Sequence, residues 1–325
     1  MQLLVTIDTE GDNQWDHGRE VTVDNLAYIP RFQQLCEKYN IKPTYFVTSE
    51  VCENGFGREY LGGLIASGKG EIGGHLHSWT TPPFEQKPGF EYNDAQHAYA
   101  SELPVEMMEA KIKNLTEQIG IAFGRKPTSF RSGRYGFDEN VANALAMNSY
   151  IVDSSVTPYT SWTNDPGLAN GTGGPDFIDK GPFPYYYEFQ SGQLLEIPIT
   201  ILPTIYPLNR SEAIAGHYFH HVNKSLFLRV LRKIMLRNQP LWLRPYAWMT
   251  SQLFQELLDE ATRIKLPFLV MIFHSSELMP GCSIYRQDER SIELLYDQLE
   301  DFFKMVNQRK ILSTSMTEAA LNFRK

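Results

Sequence analysis

Four short apolar runs, spread along the 325 residues, each stop at a side chain that can do chemistry. Leu3 to Ile7 runs into Asp8-Thr9-Glu10, and Ile72-Gly73-Gly74 into His75-Leu76-His77. Phe130 precedes Arg131-Ser132-Gly133-Arg134-Tyr135, and Phe268 to Phe273 runs into His274. Apolar runs this short, bounded by polar residues, suit strands buried on both faces. Strands that all finish in polar, reactive residues describe one rim of a parallel barrel, where the active sites of such barrels sit. Helical periodicity fills the gaps: Ile29, Phe32, Cys36, Tyr39; Val105, Met108, Ile112, Leu115, Ile119, with Gly120 as a stop. Phe254, Leu257, Leu258, Ala261, Ile264 follow Thr250 or Ser251, and Ile292, Leu295, Leu299, Phe302, Val306 form the longest stripe. A strand at Ile311-Leu312 and a helix from Thr317 close the pattern, and alternating strand and helix give an α/β fold.

The spacing at two of the strand ends is chemically specific. Side chains at i and i+2 of a strand share a face, so Asp8 lies beside Glu10 and His75 beside His77. Two neighbouring carboxylates repel unless a cation or a proton sits between them. On their own, Asp8 and Glu10 read better as an acidic loop in which Asp12 or a neighbour caps a helix. A His-x-His strand end elsewhere in the chain favours a ligand set instead.

In chain order these segments resemble the motifs of the polysaccharide deacetylases, the NodB-homology carbohydrate esterases. Pro43-Thr44-Tyr45-Phe46-Val47-Thr48 and Leu195-Glu196-Ile197-Pro198-Ile199 are similar to two further strands of that family. The stretches Ile7-Asp8-Thr9-Glu10, His75-Leu76-His77-Ser78-Trp79 and Phe273-His274-Ser275-Ser276-Glu277-Leu278 look most like its intracellular, WalW-like branch. The resemblance implies a distorted (β/α)7-type barrel forming one catalytic domain over 1–325. It implies Asp8 as general base, Arg131 as its tether and His274 as general acid. Glu10 and His75 match metal ligands, while Trp79 stands where the family has its second histidine. His77, on the face of His75, is the replacement expected, with Asp12 as the fallback. Trp79, Arg134 and Tyr135 are expected to bind substrate, a backbone N–H near Arg134 serving the oxyanion.

The activity so implied is metal-dependent hydrolysis of an N-acetyl amide on an amino sugar. A divalent ion polarises the carbonyl and acidifies water. Two imidazoles and a carboxylate suit zinc first, then iron, cobalt or nickel. A net charge of −8 argues against a general nucleic-acid partner. Three unpatterned cysteines, Cys36, Cys52 and Cys282, read as free thiols of a reducing compartment. With no signal peptide and no transmembrane run, the expectation is a cytoplasmic enzyme meeting a glycan or glycan precursor.

Two stretches exceed a minimal barrel. Residues 156–193 are rich in Gly, Pro, Asn and aromatics, and read either as a surface excursion or as a wall of the substrate cleft. Residues 217–246 include Lys224, Arg229, Arg232, Lys233 and Arg237 interleaved with apolar residues, a basic amphipathic helix over 224–237. It reads as an ordinary surface helix, with peripheral contact to an anionic membrane as the alternative. His217, His220 and His221 read as flanking that helix. Two other functions stay open: a metal-free amide hydrolase or a glycoside hydrolase pairing Glu10 with Glu196 or Glu277, and a non-catalytic glycan binder.

Overall fold

The computed structural model describes residues 1–12, 14, 21–84, 97–167, 171–204, 208–222 and 240–323. Its strands are β1 (Gln2–Thr9), β2 (Thr44–Val47), β3 (Glu71–Leu76), β4 (Ser129–Ser132), β5 (Val152–Asp153) and β6 (Tyr185–Phe189). They continue as β7 (Gly192–Glu196), β8 (Ile201–Leu202), β9 (Leu241–Trp242), β10 (Phe268–His274) and β11 (Leu312–Ser313). The helices are α1 (Ile29–Lys38), α2 (Ser49–Glu53), α3 (Gly55–Ala66), α4 (Val105–Phe123) and α5 (Glu139–Met147). Then come α6 (Glu212–Val222), α7 (Ser251–Arg263), α8 (Glu289–Gln308) and α9 (Met316–Asn322).

The main sheet runs β10-β1-β2-β3-β4-β5-β7-β6, with β11 paired to the start of β1. Every pairing is parallel except the β6–β7 hairpin. The sheet curls into a distorted barrel whose ladder, among the described residues, does not close. Antiparallel β8 and β9 lie alongside β10, joined through Thr200 N–H to the Val270 carbonyl and Ile272 N–H to the Leu243 carbonyl, both 3.2 Å.

Strand alternation sorts the side chains into two cores. Leu3, Val5 and Ile7 of β1, with Leu269, Met271 and Phe273 of β10, pack outward against helices. Phe32 and Cys36, Ile112 and Leu115, Leu257 and Leu258, and Leu299 and Phe302 supply the helical half. The alternate residues Leu4, Phe268, Val270 and Ile272 fill the inside of the curl. α9 plugs its N-terminal end with Met316 and Ala319, anchored by Met316 N–H to Thr44 Oγ1 at 3.1 Å and Thr317 N–H to Glu71 Oε2 at 2.9 Å. Continuing the inner rows upward, the next inward positions at the opposite end are Asp8 and His274.

Some local expectations need correction. α4 does not stop at Gly120; it continues to Phe123 and ends at Gly124, whose φ of 69° is the left-handed conformation glycine tolerates. His217, His220 and His221 lie within α6 rather than beside a helix. Residues 223–239, which carry the basic positions 224–237, fall outside the described residues, and Leu241-Trp242 is a strand. Among the described residues no helix is long and apolar enough to cross a membrane.

Candidate active site

Parallel register brings the strand ends together. Asp8 is the cross-strand partner of His274, and His75 that of Arg131. Arg131 is fully buried and spreads its donors over three residues. Nη1 reaches Asp8 Oδ1 and Thr6 Oγ1 at 2.8 Å each, Nε the Ser154 carbonyl at 2.8 Å, and Nη2 Ser154 Oγ at 3.1 Å. Burial alone would raise the Asp8 pKa, but Arg131, with His75 and His274, outweighs it and holds the carboxyl below its ordinary value. Asp8 is thereby kept ionised and fixed in orientation.

Glu10, His75 and His77 form the one group of three His, Cys, Asp or Glu side chains able to hold a metal among the described residues. All three are buried, with ligand atoms within 4.8 Å of one another. Glu10 Oε2 is 2.6 Å from His77 Nε2 and 3.3 Å from His75 Nε2. His75 Nδ1 faces the Arg131 carbonyl at 2.8 Å. A carbonyl only accepts, so Nδ1 carries the hydrogen and the neutral ring leaves a lone pair on Nε2. That lone pair faces a carboxylate oxygen, a contact that needs a cation or a further proton between them. The donor set fits a divalent transition ion. Against the cost of burial, His77 and His75 hold Glu10 well below the usual carboxylate range, and Asp8 and Glu10 push His75 up. Gly133 fits close to this group: a Cβ there would meet the Leu76 carbonyl at 2.5 Å and His77 Nδ1 at 2.9 Å.

His274 Nε2 points to Asp8 Oδ2 at 3.9 Å. Behind it, Glu277 Oε1 lies 3.1 Å from Nδ1 and accepts the His274 backbone N–H at 3.0 Å. Burial would neutralise Glu277, but Arg244, 2.6 Å away, and His274 hold its pKa down at about 2. Glu277 is therefore an acceptor; Nδ1 of His274 lies between it and the Arg244 Nη2 donor, 3.0 Å away, and Nε2 faces the site.

These groups open into one cavity of about 250 Å3. Asp8, His75, His77 and His274 form its floor, and Tyr99, Tyr135, Trp162, Trp242, Tyr246 and Tyr285 its walls, with Arg134, Asp165 and Arg244 between them. Arg134 and Tyr135 both adopt left-handed backbone, φ 51° and 63°, costing roughly 1–3 kcal/mol each in non-glycine residues. The turn places the Tyr135 ring against Trp162, stacked at 5.4 Å, while Arg134 pairs with Asp165 at 3.2 Å.

Searches against protein-family models and curated proteins found no match. Solved structures do match over nearly the whole chain. A Mycobacterium smegmatis protein assigned to the polysaccharide deacetylases superposes with TM-score 0.58 at 13% identity, covering 98% of this chain and 89% of its own. The fold is that of the polysaccharide deacetylases. A Pseudomonas aeruginosa PAO1 protein assigned likewise gives 0.52 at 13% identity, over 98% and 89%. Puue allantoinase gives 0.52 at 12% identity, over 98% and 88%. The deacetylase-type barrel thus hosts more than one chemistry, and the side chains must decide between them.

Of the sequence-derived site residues, the structure gathers Asp8, Glu10, His75, His77, Arg131, Arg134, Tyr135 and His274 at one rim. Trp79 is not in the cavity wall. It is buried behind His77, edge-on at 4.4 Å, with Nε1 donating to Gln14 Oε1 at 3.1 Å. Asp12 is not part of the Glu10–His75–His77 group: its two oxygens accept from Thr22 Oγ1 and the Asp24 N–H. Glu196 and Glu277 are fully buried and do not line the cavity. Trp162 and Asp165, from the 156–193 stretch, do line the cavity. Sequence reasoning missed Arg244, Trp242, Tyr246 and Tyr285; only Arg-Pro-Tyr after the three-residue apolar run Leu241-Trp242-Leu243 marked the first of these.

Proposed function

We propose that this protein is a metal-dependent hydrolase that removes the N-acetyl group from an amino sugar of a glycan or glycan precursor. The convergence of Asp8, His274 and the Glu10–His75–His77 group on one aromatic-walled cavity carries this reading. Glu10, His75 and His77 would hold the ion, zinc being the best match to two imidazoles and a carboxylate. Bound there, the ion would supply Lewis acidity for the amide carbonyl and a more acidic water.

The chain's own residues supply the proton transfers. Asp8, ionised and tethered by Arg131, accepts the proton of the attacking water. His274, held at its Nδ1 edge by Glu277 and Arg244, acts in its doubly protonated form: it delivers the Nε2 proton to the departing nitrogen and is left neutral, so that an amine leaves rather than an amide anion. Backbone N–H groups of the Arg134–Tyr135 turn are assigned to the developing oxyanion. The aromatic walls suit the apolar faces of a sugar ring. The Phe273–Leu278 motif supports the WalW-like branch, and the unpaired Cys36, Cys52 and Cys282 support a cytoplasmic setting.

Acetate release from a panel of N-acetylated amino sugars and their glycans tests the proposal. Wild-type protein loaded with zinc should release acetate, and Asp8→Asn should lose roughly 100- to 10,000-fold in rate with metal content unchanged. Full activity in that variant, or activity that survives complete metal removal, would overturn it.

A further inference from the structure

A groove of about 710 Å3 opens beside the cavity and shares two residues with it, Trp242 and Tyr246. Its outer wall is Trp248, 55% exposed, whose ring stacks on Tyr246 at 5.3 Å and 12°. On its other side Tyr246 meets the Arg244 guanidinium at 5.0 Å, and Arg244 itself abuts His274. A continuous stack therefore leads from the general acid out of the cavity: Arg244, Tyr246, Trp248.

The stack is rigid. Buried Gln298 of α8 donates to the Tyr246 carbonyl at 2.8 Å and the Met249 carbonyl at 2.6 Å. Fully buried Arg286 donates to the Pro245 carbonyl and to Gln298 Oε1. Two buried polar side chains thus hold this turn, more support than an incidental surface aromatic needs. The groove is not uniformly apolar: Thr204, Thr250 and Gln252 line it together with the three rings. One flat aromatic face with hydroxyl and amide groups at its edge matches a pyranose ring, which is apolar on its faces and polar at its rim.

We propose that this groove is a second sugar subsite, in which Trp248 carries a ring adjacent in the glycan to the one in the cavity. The inference rests on the reading that the cavity takes a sugar, and it narrows the substrate to glycans of two or more rings.

The test uses Asp8→Asn protein, which holds glycans without turnover, on an array of mono- to tetrasaccharides bearing N-acetylated amino sugars of varied stereochemistry. Glycans of two or more rings should bind roughly 3- to 10-fold more tightly than the matching monosaccharide. Adding Trp248→Ala should bring that ratio to about one, and Trp248→Phe should restore most of it. An equal ratio in the Trp248→Ala background, or no array glycan bound at all, would overturn the subsite. Length-dependent binding through Trp248 by a wild-type protein that releases no acetate would leave the subsite standing and sink only the deacetylase reading.

Discussion

Arg131 spends its donors on Thr6, Asp8 and Ser154 in full burial, so the Asp8 carboxylate has one orientation available. Desolvating such a pair costs several kcal/mol, only partly returned by the Coulomb attraction. What the arrangement secures is geometry: an ionised carboxylate fixed beside His274. His77 is the corresponding test of the ligand set. It stands 2.6 Å from Glu10, and Trp79 packs against its ring. His77→Ala should weaken zinc binding more than ~100-fold, a larger loss than outer-shell changes cause. Elemental analysis after dialysis reads the occupancy; a fully loaded variant would mean that His77 is not a ligand.

A second acidic pair appears where β5 meets β7. Asp153 and Glu196 are cross-strand partners, both fully buried. Burial pushes Asp153 up to about 6, against a lowering hydrogen bond from Glu196, while burial and the adjacent Asp153 push Glu196 well above its ordinary value. The folded state therefore binds protons that the unfolded chain has already released. Stability from this pair is greatest below about pH 4 and falls as pH rises through about 6 and beyond. In Glu196→Gln an amide replaces the shared proton. Urea melts from pH 4 to 8 should show a flatter profile and a gain on the order of 1–3 kcal/mol at pH 8; an unchanged slope would mean that the pair does not titrate in this range. The same logic of two carboxylates needing a cation or a proton could be read at Asp8 and Glu10, two residues apart on one strand. It could not be read at Asp153 and Glu196, because only the β5–β7 register makes them neighbours. Arg244 and Tyr246 were hidden likewise. They follow β9, which pairs antiparallel with the distant β8, in a stretch whose preceding sequence reads as helix. Trp79 and Asp12 lie outside the cavity lining for the opposite reason: they are close in sequence to residues of the gathered rim, but their own hydrogen bonds turn them elsewhere.

At the scale of the whole molecule, the inner rows run from an apolar plug to a reactive rim. Met316 is fully buried at the plug, in the cluster with Leu4, Phe268 and Val270. Met316→Ala should cost roughly 2–5 kcal/mol in urea unfolding. Turnover by the folded fraction should be unaltered, because the cavity lies at the other end; a cost below about 1 kcal/mol would show that the plug is dispensable. The strand order was legible only in part, since each strand end announced its chemistry but not its neighbour. The pairing of β1 with β10 joins residues 265 positions apart, as in Thr6 Oγ1 to the Met271 carbonyl. On a ribosome moving at about 5–20 residues per second, β1 waits on the order of tens of seconds for that neighbour. Through that interval one long edge of the nascent sheet has no native partner, so chaperone capture and aggregation compete with maturation until the acid-bearing strand emerges.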